Sequence, residues 1–266
     1  MNHLRHLLEE DPPGGRLDRA ALELAMIDTP DLEPQPFLDQ LNELAARLAD
    51  RMRNFNDGRD FVETAQRYLF GELGFHGNEE DFFDPRNSFL NQVLERRTGI
   101  PISLSVMYME VARRLRMPVY GISLPRHFVI QFDDGRYSTY IDPYGGGTIS
   151  IQECFLLAGV EEVDLTLLRR ATKKDIVIRM LQNLRGVYLR RKDWARTVQT
   201  LDLLLIGVPE AAALYKQRGL LQVELRRMQA ARADLERYLA LQPAAEDREE
   251  ILKQIQAIHS WLAHLN

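Results

Sequence analysis

A chain of 266 residues, 45% hydrophobic and 27% charged, has the make-up of a soluble globular protein of one or two domains. Its net charge of −5 argues against a dedicated nucleic-acid binder, and the basic runs Arg113-Arg114, Arg169-Arg170 and Arg190-Arg191-Lys192 are expected to be solvated helix faces. The single cysteine, Cys154, excludes an internal disulfide framework. With no apolar run near the ~20 residues of a membrane span and no signal-peptide core in MNHLRHLLEEDPPGG, cytoplasm is the expected compartment.

Residues 1–80 read as a helical amino-terminal segment. Asp18 to Ile27, Pro36 to Arg53 and Asp60 to Leu73 carry apolar residues at helical spacing, broken by Thr29-Pro30, by Asn56-Asp57-Gly58 and by Gly74. Phe37, Leu41, Leu44 and Leu48 form one such stripe, whose plain reading is core packing. Gly74 to Pro85 is rich in glycine, asparagine and acids and is expected to cross the surface. His76 with Glu79, Glu80, Asp81 and Asp84 offers metal-binding residue types, but no second histidine sits at ligand spacing, so solvation is the plainer reading and no metal or cofactor is expected.

Residues 81–168 carry the polar residues that chemistry would need. Pro101 suits a first helical position, and Leu104, Met107, Tyr108, Val111 and Leu115 continue a helix that Met117-Pro118 stops. Asp134-Gly135 between Phe128–Phe132 and Tyr137–Ile141 predicts a two-residue hairpin. In that register opposed residue numbers sum to 269, so His127 faces Asp142, while Phe128, Ile130, Phe132, Tyr137 and Ile141 share the other face. A carboxylate holding an imidazole N–H is the arrangement acyl-transfer chemistry uses, with the other ring nitrogen left to take a proton from a nucleophile. A nucleophile is expected where a helix begins, yet the first turn offers Pro101, Ile102, Ser103 and Ser105 and no cysteine. Tyr144-Gly145-Gly146-Gly147 reads as a loop at the rim of the site, and it lacks the lysine of a phosphate-binding loop. Cys154, on a short helix from Ile151 to Ala158, reads as a small buried apolar residue.

The blocks GFHGNEEDFFDPRNSFLNQVLERRTGIPISLSVMYMEVARRLRMPV, LPRHFVIQF and IDPYGGG resemble the bacterial SirB-type family, whose members join a transglutaminase-like domain to tetratricopeptide repeats. The resemblance runs from about Leu17 to the carboxy-terminal repeats. It implies an α+β, papain-like fold in which a Cys, His, Asp triad is spread over a helix start and two strands. His127 and Asp142 match the second and third members. The cysteine position falls on or near Pro101, so the chain departs from the triad there, and PRHF stands where the family pattern gives PGHF, placing Arg126 beside the site.

Residues 169–266 read as helical repeats. Pro209 and Pro243 lie 34 residues apart, and at that period Trp194 corresponds to Met228, Leu184 to Arg218, Arg185 to Gly219, Thr197 to Ala231 and Leu201 to Leu235. Two units are followed by a capping helix, Asp247 to Leu265. Such repeats as a class bind peptides on a concave face, and a buttress for the central domain is the plainer alternative. Three functions follow: a non-enzymatic protein- or peptide-binding module, regulatory or scaffolding, using Ser105, Arg126 and Tyr144 around the cleft; a hydrolase or acyltransferase using Ser103, His127 and Asp142; or a hydrogen-bonded pair that only holds the hairpin. In its plain reading Ser103 caps the helix's first turn.

Overall fold

The structure, a computed structural model, describes residues 1–162 and 164–264. The chain divides into two compact units, Met1–Asn183 and Leu184–Asn266.

In the first unit, α1 (Asn2–Glu9), α2 (Leu17–Leu24), α3 (Gln35–Ala49) and α4 (Gly58–Ala65) lead to the sheet. Their apolar stripes face inward: Leu38, Leu41, Leu44 and Leu48 of α3 are buried, and Phe37 is half-buried. The Asp57 carboxylate accepts the Arg59 and Asp60 N–H groups and so starts α4, which widens over Gln66–Glu72 into π-type turns. After α5 (Leu90–Arg96) comes α6 (Pro101–Arg114), which is buried on nearly all sides. Its apolar residues recur around the whole helix, so it has the pattern of a central core helix rather than a surface one.

α6 is also tied to α2 through charge. Asp18, 0% exposed, accepts hydrogen bonds from Arg16 Nε at 2.9 Å, Arg113 Nη2 at 3.1 Å and Arg114 Nη2 at 2.9 Å. Glu110 accepts from Arg113 Nε at 2.7 Å and Arg114 Nη1 at 3.0 Å. Burial alone would raise the Asp18 carboxyl, but its bonds to Arg16 and Arg114 and the nearby Arg113 charge hold it well below the usual carboxylate range. For Glu110 burial wins, with the Asp18 charge adding to it, and its carboxyl lies above its ordinary value.

Four antiparallel strands in the order β3-β4-β5-β6 pack on α6: β3 (Val119–Ser123), β4 (Phe128–Asp133), β5 (Ser138–Asp142) and β6 (Gly147–Ile149). The Phe61 ring of α4 lies 5.5 Å from Phe132 in a tilted arrangement and meets Tyr108 of α6 edge-on at 6.2 Å. On the opposite face Val129 packs with Ile122, Leu124, Cys154 and Ala158 under α7 (Ile151–Ala158). The expected bounds of α7 hold because Ser150 and Glu153 cap each other's N–H groups and Gly159, at φ 68°, ends the helix in a left-handed conformation.

The hairpin register differs from the expected one. Ile130 pairs with Ile141, Phe132 with Thr139 and Asp133 with Ser138. Partners therefore sum to 271, and four residues, Asp134 to Tyr137, make the tip. The Asp134 carboxylate is the cause: it accepts both the Arg136 N–H at 2.8 Å and the Tyr137 N–H at 2.7 Å, winding a longer turn than Asp134-Gly135 alone. A slip of two residues keeps every side chain on its face, so Phe128, Ile130 and Phe132 remain buried. His127 is not opposed to Asp142.

Two short parallel strands, β1 (His76–Gly77) and β2 (Thr98–Gly99), pin the segment after α4 to the start of α6.

The second unit contains α9 (Trp194–Gly207), α10 (Ala212–Glu224), α11 (Met228–Leu241) and α12 (Arg248–Ala263); α8 (Lys173–Arg190) carries the boundary. α9 and α11 begin at the two residues the 34-residue period equates, and Thr197, Leu201, Ala231 and Leu235 are all 0% exposed. A Cβ on Gly219 would stand 3.0 Å from the Leu235 side chain, tighter than ordinary contact, so glycine eases the close approach of α10 and α11. The break at Leu184-to-Arg218 also has a cause: Arg218 is ion-paired with Asp234 at 2.6 Å and Asp202 at 2.7 Å. Leu265, the expected end of the capping helix, lies outside the described residues.

Candidate functional site

His127 immediately precedes β4 and Asp142 closes β5. The imidazole Nε2 lies 3.0 Å from Asp142 Oδ1, and both residues are largely buried, with side-chain exposures of 12% and 9%. The same oxygen accepts the Tyr144 backbone N–H at 3.0 Å, which fixes the carboxylate. In the observed register the position opposite His127 belongs to Tyr144, and the two rings meet edge-on at 6.1 Å. Asp142 therefore reaches the imidazole diagonally, and Nδ1 is the ring nitrogen left for other chemistry.

Backbone strain sits beside the histidine. The His127 N–H donates to the Pro125 carbonyl at 2.8 Å around Arg126, whose φ is +62°, a γ-turn of the rare positive-φ kind. Such strain persists only where the surroundings enforce it. Glycine suits this position better than any side chain. The Arg126 guanidinium lies over Gly159 at the end of α7.

Tyr144 links this pair to the loop after α4. Its hydroxyl donates to the Asn78 carbonyl at 3.2 Å, and Gly77 donates its N–H to the Tyr144 carbonyl. A Cβ at Gly77 would fall 2.4 Å from the Tyr144 ring, so the ring rests directly on bare backbone. Burial, with the Glu79 and Asp142 charges, pushes the Tyr144 phenol above its ordinary value and keeps it a hydrogen donor. A concavity of about 600 Å3 opens here, lined by His76, Asn78, Glu79, Glu80, Arg96 and Tyr144 among others. Phe82 and Phe83 are 40% and 43% exposed, and Phe82 is edge-on to Tyr144 at 6.3 Å.

The residues expected at the helix start behave differently. Ser103, 0% exposed, donates its hydroxyl to the Asn87 carbonyl at 2.5 Å, has the Ile100 carbonyl at 3.1 Å, and accepts the Ile100 N–H at 3.1 Å. Among the described residues no hydrogen bond joins it to His127. Ser105 is also 0% exposed, and among the described residues its hydroxyl has no hydrogen-bond partner. Cys154 is 0% exposed; burial, then Asp142 and Glu153, push its thiol up to about 11. The structure thus brings His127, Asp142 and Tyr144 together, while Ser103 and Ser105 are turned into the core.

Sequence reasoning passed over Asn87. This fully buried side chain donates Nδ2 to the Asp81 carbonyl at 2.7 Å, and its Oδ1 accepts from Asn78 Nδ2 at 3.0 Å. Asn87 therefore joins Ser103 to the loop that carries Asn78. Nothing in its spacing distinguishes it from a loop asparagine. Among the described residues no three metal-ligating side chains converge, and Asp84 of the acidic loop is buried and paired with Arg86 at 2.7 Å.

The family model described as Transglutaminase-like superfamily matches residues 35–182. The chain belongs to that superfamily. The matched span takes in α3 and α4 as well as the sheet, and a tetratricopeptide-repeat model matches 184–256. The fold is thus a transglutaminase-like α+β domain followed by helical repeats of a class that generally mediates protein–protein contacts. A UPF0162 protein of Xylella fastidiosa (strain 9a5c) is 36% identical over 85% of this chain and 84% of its own length. One from Vibrio cholerae is 26% identical over 95% and 96%. Human F-box only protein 21 is 32% identical over 58% of this chain and 26% of its own. A crystal structure of menin, described as revealing the binding site for Mixed Lineage Leukemia (MLL) protein, aligns with a TM-score of 0.46 at 14% identity, covering 97% of this chain and 73% of menin. No described helix is long and apolar enough to cross a membrane.

Proposed function

We propose that this transglutaminase-like protein is a binding module, regulatory or scaffolding, whose cleft and helical repeats hold a protein or peptide and whose acyl-transfer chemistry is lost. The observation that carries this reading is the Ser103 hydroxyl. It is committed to Asn87 and Ile100, and Ser105, the other hydroxyl near the helix start, is fully buried, so the helix start offers no thiol and no exposed hydroxyl. Tyr144 stands between His127 and Phe82, edge-on to each, and Phe82 and Phe83 are exposed rings of the aromatic type enriched where peptides dock.

The test is selection of displayed peptides on the full chain, followed by affinity measurement with Tyr144→Ala and Phe82→Ala. The reading expects selected peptides that bind each variant about tenfold more weakly, the loss of one anchor contact. Peptides that bind all three proteins equally, or none selected, would contradict a binding cleft at this place.

A further inference from the structure

Most arginines in the first unit that sit near buried groups are matched by carboxylates: Arg16, Arg113 and Arg114 meet Asp18, and Arg86 meets Asp84. Arg179, half-buried on α8, is not. It makes no hydrogen bond and no ion pair among the described residues. Burial alone acts on its guanidinium and holds it below the usual arginine value, with no carboxylate raising it back. A charge withdrawn from water without a counter-charge is costly, and folded proteins supply a partner for such groups. Asp175, one turn earlier, has the spacing to serve but is engaged elsewhere, accepting the Thr172 N–H at 3.0 Å and Arg169 Nη2 at 3.4 Å.

Arg179 lines a cavity of about 310 Å3 with Gln182 and Asp175 of α8, Ser123 at the end of β3, and Thr166 and Arg169 from the turn before α8. Two guanidiniums, the Ser123 hydroxyl and a carboxamide converge from three separate elements; the Thr166 hydroxyl is held by Asp164 Oδ1 at 2.6 Å, and the one carboxylate in the lining is already occupied by Arg169 and Thr172. A planar carboxylate offers two oxygens and suits a single arginine fork. A tetrahedral phosphate offers acceptors in several directions, which matches donors arriving from a strand end, a turn and a helix face.

We infer that this cavity is a phosphate site: Arg179, seconded by Arg169, Ser123 and Gln182, takes the phosphate monoester of a small molecule or of a phosphorylated partner side chain. The cavity shares no lining residue with the His127, Asp142 and Tyr144 group and does not depend on the cleft's role.

Calorimetric titration of the full chain with inorganic phosphate, O-phosphoserine, a phosphoserine peptide and acetate tests it, with hydrogen exchange to locate the contact. Phosphate and phosphoserine should bind and should protect the backbone around Ser123 and residues 165–171. Arg179→Met should weaken both by roughly tenfold or more, the value of a charge-assisted hydrogen bond, and Arg179→Lys, which keeps the charge, should weaken them less. Tighter binding of the peptide than of O-phosphoserine would identify a phosphorylated partner, and equal binding a small phosphate ester. Absence of phosphate binding, acetate binding as well as phosphate, or unchanged affinity in Arg179→Met would each overturn the inference.

Discussion

Replacing Asp18 with asparagine removes the negative charge on which Arg16, Arg113 and Arg114 converge while keeping the side chain's size. Three guanidiniums are then left with Glu110 as their remaining close carboxylate, and it reaches only Arg113 and Arg114. Breaking a buried charge cluster by removing one partner costs roughly 3–5 kcal/mol. Arg16 and Arg113 retain exposures of 42% and 43%, so the lower end, about 3 kcal/mol, is expected. That is a large share of the roughly 5–15 kcal/mol by which domains are stable. Both tryptophans, Trp194 and Trp261, lie in the second unit, so indole fluorescence reports on the wrong region. Native-state hydrogen exchange of the α6 amides between Leu104 and Ala112 measures the loss directly. The pH dependence has two signs. The depressed Asp18 carboxyl contributes stability that is fully present above its unfolded value, about 3.9, and is lost as pH falls through its lower folded value. The raised Glu110 carboxyl contributes stability below its unfolded value, about 4.3, and that contribution is lost as pH rises through its higher folded value. Asp18→Asn should therefore flatten the acid limb, and Glu110→Gln the limb above it. A loss under about 1 kcal/mol, the value of a surface ion pair, would refute the buried-cluster account.

Gly77→Ala places a methyl 2.4 Å from the Tyr144 ring; it should cost about 1–3 kcal/mol by overpacking and raise hydrogen exchange between His76 and Glu80, whereas unchanged exchange would show that the ring is not seated on Gly77. At Arg126, φ +62° favours glycine, so Arg126→Gly should be more stable than Arg126→Ala by about 1 kcal/mol in urea unfolding followed by far-ultraviolet circular dichroism; equal midpoints would remove the γ-turn strain. Cys154, with its thiol pushed up to about 11 and its side chain 0% exposed, should react with iodoacetamide at pH 8 only in denaturant, and rapid labelling of the native protein would show that α7 opens readily.

What the sequence made legible follows from which signals are local. α6 and α7 start and stop on nearby residues, Pro101 and the Ser150–Glu153 cap, and both were readable. The 34-residue repeat was readable because each unit buries equivalent positions, Leu201 and Leu235 among them. The hairpin register was not, because one side-chain oxygen of Asp134 decides between a two-residue and a four-residue turn. His127 and Asp142 were nevertheless expected together, since a slip of two residues preserves faces and a diagonal neighbour is within reach. The fate of Ser103 depended on Asn87, sixteen residues earlier, whose carbonyl comes to the helix start only through the packing of α5 on α6. Contacts of that range leave no periodic trace.

Reaction of the folded chain with a fluorophosphonate probe, read by intact mass beside Ser103→Ala and His127→Ala, tests the central claim most directly. A buried, doubly engaged Ser103 hydroxyl predicts no adduct on any of the three proteins. An adduct on the unsubstituted chain that both substitutions abolish would make the His127–Asp142 pair the base of a working acyl enzyme and contradict the binding-module account.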